Sequence, residues 1–336
     1  MQLIKTLRTS DWISPQRVLL GLALFAALVY PWVFTKPFPQ HLMTMVFMYA
    51  MLGTAWNILG GFTGQVSLGH ATYFGLGAYT STLLLTKTGL SPWLGMFVGV
   101  LVALAIALPL GYATFRLGGR YFTMATIVIG EIARIVFTSW SYVGGAVGIF
   151  LPILPESFID FQFHSSKMPY YYIMLTFLLA TVATAYWVQR SRLGYYLKAI
   201  RDDPMAAQSL GISVMTYKLI ALALSVVFTA MAGTFYAQFV LFIDPVSTMP
   251  FLISLTIALV AILGGIGTLW GPIIGSVVLI PITQLTRVYL GGAARALDLV
   301  VYGPLVILIA ILQPEGLVPM LTKVQERLRH GALGSH

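Results

Sequence analysis

Two residues of opposite charge, Glu131 and Arg134, stand within an otherwise apolar stretch and are the first candidates for chemistry. Their spacing of three residues puts both side chains on one face of a helix. Because an unpaired charge at the centre of a bilayer costs at least about 2.5 kcal/mol, we expect the two to pair and to face the bundle interior. Two interpretations stay open: a structural ion pair, or a proton or ion relay with Glu131 as the coupling carboxylate.

Polar side chains also accompany glycine in residues 60–77, G-G-F-T-G-Q-V-S-L-G-H-A-T-Y-F-G-L-G. Irregular backbone at membrane depth is tolerated only where it is buried in protein or lines an aqueous cavity. We therefore predict that the pathway-facing residues of this segment are Gln65, Ser67, Gly69 and His70.

A second glycine-rich stretch lies at residues 263–275, in the other half of the chain. Two glycine-interrupted segments in separate halves are typical of a pathway between internal repeats. The alternative for most of these glycines is close helix packing, which the spacing of four between Gly95 and Gly99 also indicates.

A short capped helix is predicted between residues 203 and 211. Asp203 is the expected N-cap, Pro204 takes the first helical position, and Gly211 follows the end. So short a helix is marginal alone in water and needs a surface to pack against. The sequence leaves two interpretations, a coupling helix that docks into a cytosolic partner or a helix lying on anionic lipid.

Common catalytic and nucleotide-binding motifs are missing. No lysine follows a glycine, so the phosphate-binding loop G-x-x-x-x-G-K-[ST] does not occur, and neither H-E-x-x-H nor G-x-S-x-G is present. The chain has no cysteine, and its five histidines are dispersed. We predict no catalytic residue, no metal site and no cofactor bound by this chain.

The composition itself indicates an all-α protein that crosses a membrane many times. Of 336 residues 58% are hydrophobic and 9% charged, against roughly 25% charged in soluble domains. About ten apolar spans can be counted, starting near residues 18, 42, 72, 93, 121, 168, 216, 251, 272 and 298. We expect the third span to be interrupted by Gly69, Gly75 and Gly77.

Positive charge predicts the orientation of these spans. With ten spans, 13 of the 19 lysines and arginines lie on the side of both termini, five lie opposite, and Arg134 lies within a span. The termini are therefore expected in the cytoplasm. The charge does not form a continuous patch, so we expect contact with lipid but not with nucleic acid. Residues 1–336 are expected to form a single transmembrane domain.

Two connecting segments exceed a tight turn. The outer loop, residues 140–167, is expected to be an ordered lid or docking loop, or a passive connector. The inner loop, residues 190–214, contains the short capped helix.

Four stretches of sequence resemble the permease subunits of ABC importers for branched-chain amino acids, specifically the longer of their two permease types. They are G-Q-V-S-L-G-H-A at 64–71 with Y-F-G-L-G-A-Y at 73–79, G-R-Y-F-T-M-A-T at 119–126 with G-E-I-A-R at 130–134, L-K-A-I-R-D-D-P-M-A-A-Q-S-L-G-I at 197–212, and L-G-G-I-G-T-L-W-G-P-I-I-G at 263–275.

The resemblance implies a permease of the cell inner membrane that works with a second homologous permease, two cytosolic ATPases and a periplasmic amino-acid-binding protein. ATP and magnesium would be bound by the ATPases. It favours the coupling interpretation of the inner loop, where the docking residues would be Arg201, Asp202, Asp203, Ala206, Ala207, Leu210 and Gly211.

The chain departs from this family at two points, with Val143 before Gly144–Gly145 and Glu315 after Pro314. Related permeases for urea and short amides share the four stretches, so the substrate is expected to be a branched-chain or other small apolar amino acid, with urea or an amide as the alternative. An ion-coupled secondary transporter that acts alone remains the other hypothesis.

Overall fold

The computed structural model describes residues 15–290 and 316–318, and the regular secondary structure of this part of the chain is helical apart from two strands of two residues each. The long helices alternate with short connections, as expected of a polytopic membrane protein. The helices are α1 (Pro15–Val33), α2 (Pro37–Thr63), α3 (His70–Thr88), α4 (Pro92–Thr114), α5 (Gly119–Ser139), α6 (Met168–Arg190), α7 (Arg192–Asp202), α8 (Pro204–Ser209), α9 (Val214–Val240), α10 (Pro245–Thr248), α11 (Phe251–Gly264) and α12 (Gly271–Leu290).

Six helical segments of the described residues are long and apolar enough to cross a membrane. They are Pro37–Thr63, Pro92–Thr114, Gly119–Ser139, Met168–Arg190, Val214–Val240 and Pro245–Gly264, and two shorter apolar helices cover Gly21–Val33 and Gly271–Thr286. This part of the chain thus contains six candidate spans and two shorter apolar helices, and α3 lies where the third of the predicted spans was expected. The span predicted near residue 298 lies outside the described residues.

The expectation that glycines interrupt the third span is wrong for two of its three positions. The break occupies residues 64–69, but α3 is continuous through Gly75 and Gly77. A β-carbon on Gly77 would lie 2.1 Å from the carbonyl oxygen of Ala230, and one on Gly75 would meet the side chain of Met249. These two glycines allow close helix packing, since any side chain there would collide with a neighbour.

Small residues on one face of α4 pack it against α3. A β-carbon on Gly99 would lie 3.2 Å from the carbonyl oxygen of Gly77, and one on Gly95 would lie 3.0 Å from Cα of Ser81. The packing role predicted from the four-residue spacing is confirmed.

The outer loop is ordered by pairing with the chain that follows α9. Strand β1 (Ile149–Phe150) is antiparallel to β2 (Phe242–Ile243). In the second part of the loop, the Glu156 carboxylate accepts hydrogen bonds from the Ser165 hydroxyl, 2.8 Å to each oxygen. These bonds hold the pKa of Glu156 below its ordinary value.

Candidate functional site

The inner loop folds into two helices, α7 and α8, and α8 is capped at both ends. The Oδ1 atom of Asp203 accepts hydrogen bonds from the backbone N–H groups of Met205 (2.8 Å) and Ala206 (3.0 Å). At the other end, Gly211 has a φ of 84° and donates its N–H to the Gln208 carbonyl. The predicted start and stop signals are therefore confirmed.

The two faces of α8 differ in exposure. Met205 and Leu210 are each 81% exposed, whereas Ala207 is only 2% exposed. Asp202 and Ala206 are also exposed. Two large apolar side chains and a small one thus form an open surface, and Ala207 packs against the rest of the chain.

Arg201 connects this loop to the end of α2. Its Nη1 atom donates a hydrogen bond of 3.0 Å to the Gly61 carbonyl oxygen. A β-carbon on Gly64 would lie 3.3 Å from the arginine Cγ, and one on Gly267 would lie 2.5 Å from its Nη1. The absence of side chains at these glycines leaves room for the arginine side chain, whose guanidinium group lies against Gly267.

Asn57 joins α2 to the turn between α11 and α12. Its side chain accepts a hydrogen bond from the Gly267 N–H and donates one to the Thr268 carbonyl, both 2.8 Å long. Thus the inner loop and both glycine-rich stretches meet around Arg201 and Asn57.

The break between α2 and α3 packs against α5. The Thr123 hydroxyl donates to the Val66 carbonyl (2.7 Å), and the Leu68 N–H donates to the Thr126 hydroxyl (3.0 Å). Hydrogen bonds from neighbouring elements thus satisfy the irregular backbone, as a non-helical segment at membrane depth requires.

The predicted pathway residues of this break have different surroundings. Gln65 is partly exposed, while Ser67 and Gly69 are buried beside a cavity of about 10 Å³. That volume holds roughly one water molecule. His70 is fully buried, and its Nε2 lies 2.8 Å from the Ser225 hydroxyl of α9, whereas its Nδ1 has no hydrogen-bond partner.

Glu131 and Arg134 form the predicted ion pair, and the arginine Nε donates to both carboxylate oxygens at 3.1 and 3.0 Å. We expected the pair to face the bundle interior, and this is wrong for the structure of the single chain. The side chain of Glu131 is 44% exposed and that of Arg134 is 28% exposed. The reason is that α5 packs through one face only, with Phe122 and Thr126 as its buried residues.

Sequence reasoning missed α7, Asn57 and the inward contact of Arg201. The apolar residues of α7, Leu193, Leu197 and Ile200, recur at helical spacing and could have identified the helix. Asn57 could have been identified because it is a polar residue within a predicted span. Nothing local indicated the acceptor of Arg201, since Gly61 lies 140 residues away in sequence.

Comparison with known proteins gives a consistent family. The family described as "Branched-chain amino acid transport system / permease component" matches residues 38–310. The permease LivM of the Escherichia coli K12 high-affinity branched-chain amino acid transport system is 28% identical, over 94% of this chain and 78% of its own length. The permease LivH of that strain is 25% identical, over 82% of this chain and 93% of LivH.

A nucleoside ABC transporter permease of Lactococcus lactis, NupC, is 24% identical over 52% of this chain and 59% of its own length. No solved structure matches the chain significantly.

Proposed function

Since the chain belongs to the family of branched-chain amino acid transport permeases and is a transport subunit, not an enzyme, we propose that it translocates branched-chain or other small apolar amino acids across the inner membrane. In this proposal it pairs with a second, homologous permease. Two cytosolic ATPases bind ATP and magnesium, and a periplasmic protein delivers the substrate.

The observation that supports this proposal most directly is the capped helix α8. Its two exposed apolar side chains, Met205 and Leu210, lie on a short segment of the inner loop that is capped at both ends. A surface of this kind suits the groove of a partner protein, where apolar anchors supply most of the binding energy. We assign the ATPase contact to Met205, Ala206 and Leu210, with Asp203 and Gly211 shaping the helix and Ala207 attaching it to the permease.

Arg201 would transmit the movement of the ATPases to the membrane part. It lies at the end of α7 and bonds to the last turn of α2, a helix that is largely buried. A displacement of α7 and α8 would therefore move the end of α2 and, through Asn57, the turn that precedes α12. Asp202, which is exposed beside Arg201, would contact the ATPase.

The translocation pathway would run along α5 and the break at residues 65–70. Gly69 adjoins Gly130, since a β-carbon on Gly130 would lie 3.8 Å from Cα of Gly69, and Glu131 follows directly. A half-exposed ion pair in a membrane-spanning helix requires polar surroundings. The second permease and the substrate pathway would supply them. A cavity for one water molecule at Ser67 and Gly69 corresponds to a closed pathway, which α5 would have to open.

The arrangement across the membrane would follow the charge asymmetry, with ten spans in one domain and both termini in the cytoplasm. The inner loop would then be the coupling loop, and the outer loop would face the periplasm. Val147, Phe150 and Ile153 of the outer loop are exposed apolar side chains that would contact the delivery protein.

The coupling test replaces Met205 and Leu210 with glutamate. We expect loss of uptake and of substrate-stimulated ATP hydrolysis in vesicles containing the whole transporter, because the apolar contact is removed. Chain level and copurification of the second permease should persist. The control, Met205→Leu with Leu210→Met, keeps an apolar surface and should transport normally. Undiminished uptake by the double glutamate variant would refute the assignment.

A reconstitution experiment tests the mechanism and the substrate. The purified chain alone should show no gradient-driven flux, and uptake should appear only when the second permease, the ATPases and ATP are supplied. Flux through the chain alone would favour the ion-coupled hypothesis. Uptake of leucine, but not of urea or a nucleoside, is the expected specificity, and the similarity to NupC makes the nucleoside a necessary comparison.

A further inference from the structure

The outer loop contains a tight turn with two largely exposed apolar side chains. Phe158 is 63% exposed and Ile159 is 69% exposed. The flanking residues Ser157 and Gln162 pair as an isolated antiparallel bridge. Phe161, inside the turn, is fully buried and has a φ of 55°. The turn is therefore defined by its own pairing and by a buried ring, while its tip stays uncovered.

This tip is attached to the beginning of α4. The Ser91 hydroxyl donates to the Ile159 carbonyl (2.6 Å), and Nε1 of Trp93 donates to the Phe158 carbonyl (2.7 Å). The ring of Trp93 stacks on Phe158 and Phe161, with centroid separations of 5.2 and 4.4 Å. These contacts hold Phe158 and Ile159 level with the first turn of α4.

Below the tip, the exposed face of α4 continues the apolar surface. Leu94, Phe97 and Leu101 are exposed, and residues 92–114 contain no charged side chain. Four small residues of α4 are buried against the rest of the chain, namely Gly95, Gly99, Ala103 and Ala107. Because contacts between membrane helices favour small or polar residues, a face of large aliphatic and aromatic groups indicates lipid as its neighbour.

Aromatic residues mark both ends of this helix. Trp93 stands at the outer end, and Tyr112 at the inner end receives a hydrogen bond and a cation–π contact from Arg116. Tryptophan and tyrosine are enriched at the two membrane–water interfaces. The level of Trp93 is therefore the level of the lipid headgroups, and the tip of the outer loop lies at that level.

We infer that Phe158 and Ile159 insert into the interfacial region of the outer leaflet and bind the outer loop to lipid. The backbone of the tip keeps its polar groups toward Ser91 and Trp93, so only the two side chains enter the apolar boundary. The loop, beside the paired strands β1 and β2, would thereby be held at a constant depth in the membrane interface. This inference concerns lipid contact alone; it uses the proposed orientation of the chain but not its transport function.

The test uses the natural lack of cysteine. Ile159→Cys in the full-length chain is labelled with an environment-sensitive fluorophore and reconstituted in lipid nanodiscs without partner subunits. Two further variants provide the reference positions: Leu101→Cys on the exposed face of α4, and Gln208→Cys on exposed α8. Quenching is measured with aqueous iodide and with lipids that have a nitroxide near the headgroup or deep in the acyl chain.

The shallow nitroxide should quench the label at Ile159 more than the deep one, and iodide should quench it far less than at Gln208. At Leu101 the deep nitroxide should dominate. The inference is overturned if iodide quenches the label at position 159 as strongly as the label at position 208. It is also overturned if the lipid nitroxides quench the labels at positions 159 and 208 equally. Phe158→Cys, on the adjacent exposed residue, gives the same measurement where Ile159→Cys does not fold.

Discussion

Helices α4 and α5 follow each other in the chain and both expose large apolar side chains, but only α5 includes charge. On α5 the exposed residues include Tyr121, Met124, Val128 and Ile132, with the Glu131–Arg134 pair among them. On α4, residues 92–114 are free of charge. The exposed apolar area alone does not distinguish the two helices.

The charge on α5 indicates that the two helices require different neighbours. A buried or half-buried ion pair is expensive against hydrocarbon but stable against protein or an aqueous pathway. We therefore expect lipid beside α4 and the second permease, with the pathway, beside α5. The same reasoning separates two parts of the outer loop, because the tip at Phe158 continues the surface of α4.

The largest expected effect comes from breaking the ion pair. Glu131→Leu leaves Arg134 unpaired in a membrane span, which costs at least about 2.5 kcal/mol. We expect uptake to be abolished and the amount of chain in the membrane to fall, as measured by labelled substrate uptake and immunoblotting.

The matched control is the reversed pair, Glu131→Arg with Arg134→Glu, which should restore the amount of chain. Restored uptake as well would identify a structural ion pair, whereas restored chain without uptake would identify Glu131 as a pathway residue. A Glu131→Leu variant that transports normally would contradict the comparison of α4 and α5.

A smaller effect is expected when the two exposed faces receive a bulky side chain. Val128→Trp on α5 should weaken association with the second permease by about 1–3 kcal/mol through overpacking, whereas Leu101→Trp on α4 should leave it unchanged, since lipid adapts. Copurification of the tagged second permease measures both. Equal losses for the two variants would mean that both faces contact protein.

An effect of similar size, but on stability instead of association, concerns the buried face of α4. Gly99→Val would push a side chain against the Gly77 backbone of α3 and should destabilise the chain by about 1–3 kcal/mol. The exposed Ala105→Val on the same helix should change stability by less than about 0.5 kcal/mol. Thermal unfolding in detergent is the measurement, and similar midpoints for the two variants would argue against the orientation of α4.

Local patterns in the sequence predicted much of the molecule. Nine of the predicted spans coincide with helices of the described residues, and the caps of α8 and the Glu131–Arg134 pair formed as their spacing indicates. Each of these features depends on residues within one helical turn or one apolar run. An irregular polar segment was predicted within residues 60–77, and the break lies at residues 64–69, whereas α3 is continuous through Gly75 and Gly77.

The apolar helices, their caps and their local ion pair can be predicted from the sequence, because each of them depends on residues that are neighbours along the chain. The tertiary structure was needed to show that Arg201 hydrogen-bonds to Gly61, that Asn57 hydrogen-bonds to Gly267, and that β1 pairs with β2. It also decided that Glu131 is half exposed. Contacts between distant residues depend on how whole helices pack, and no local pattern specifies which glycine leaves room for which side chain.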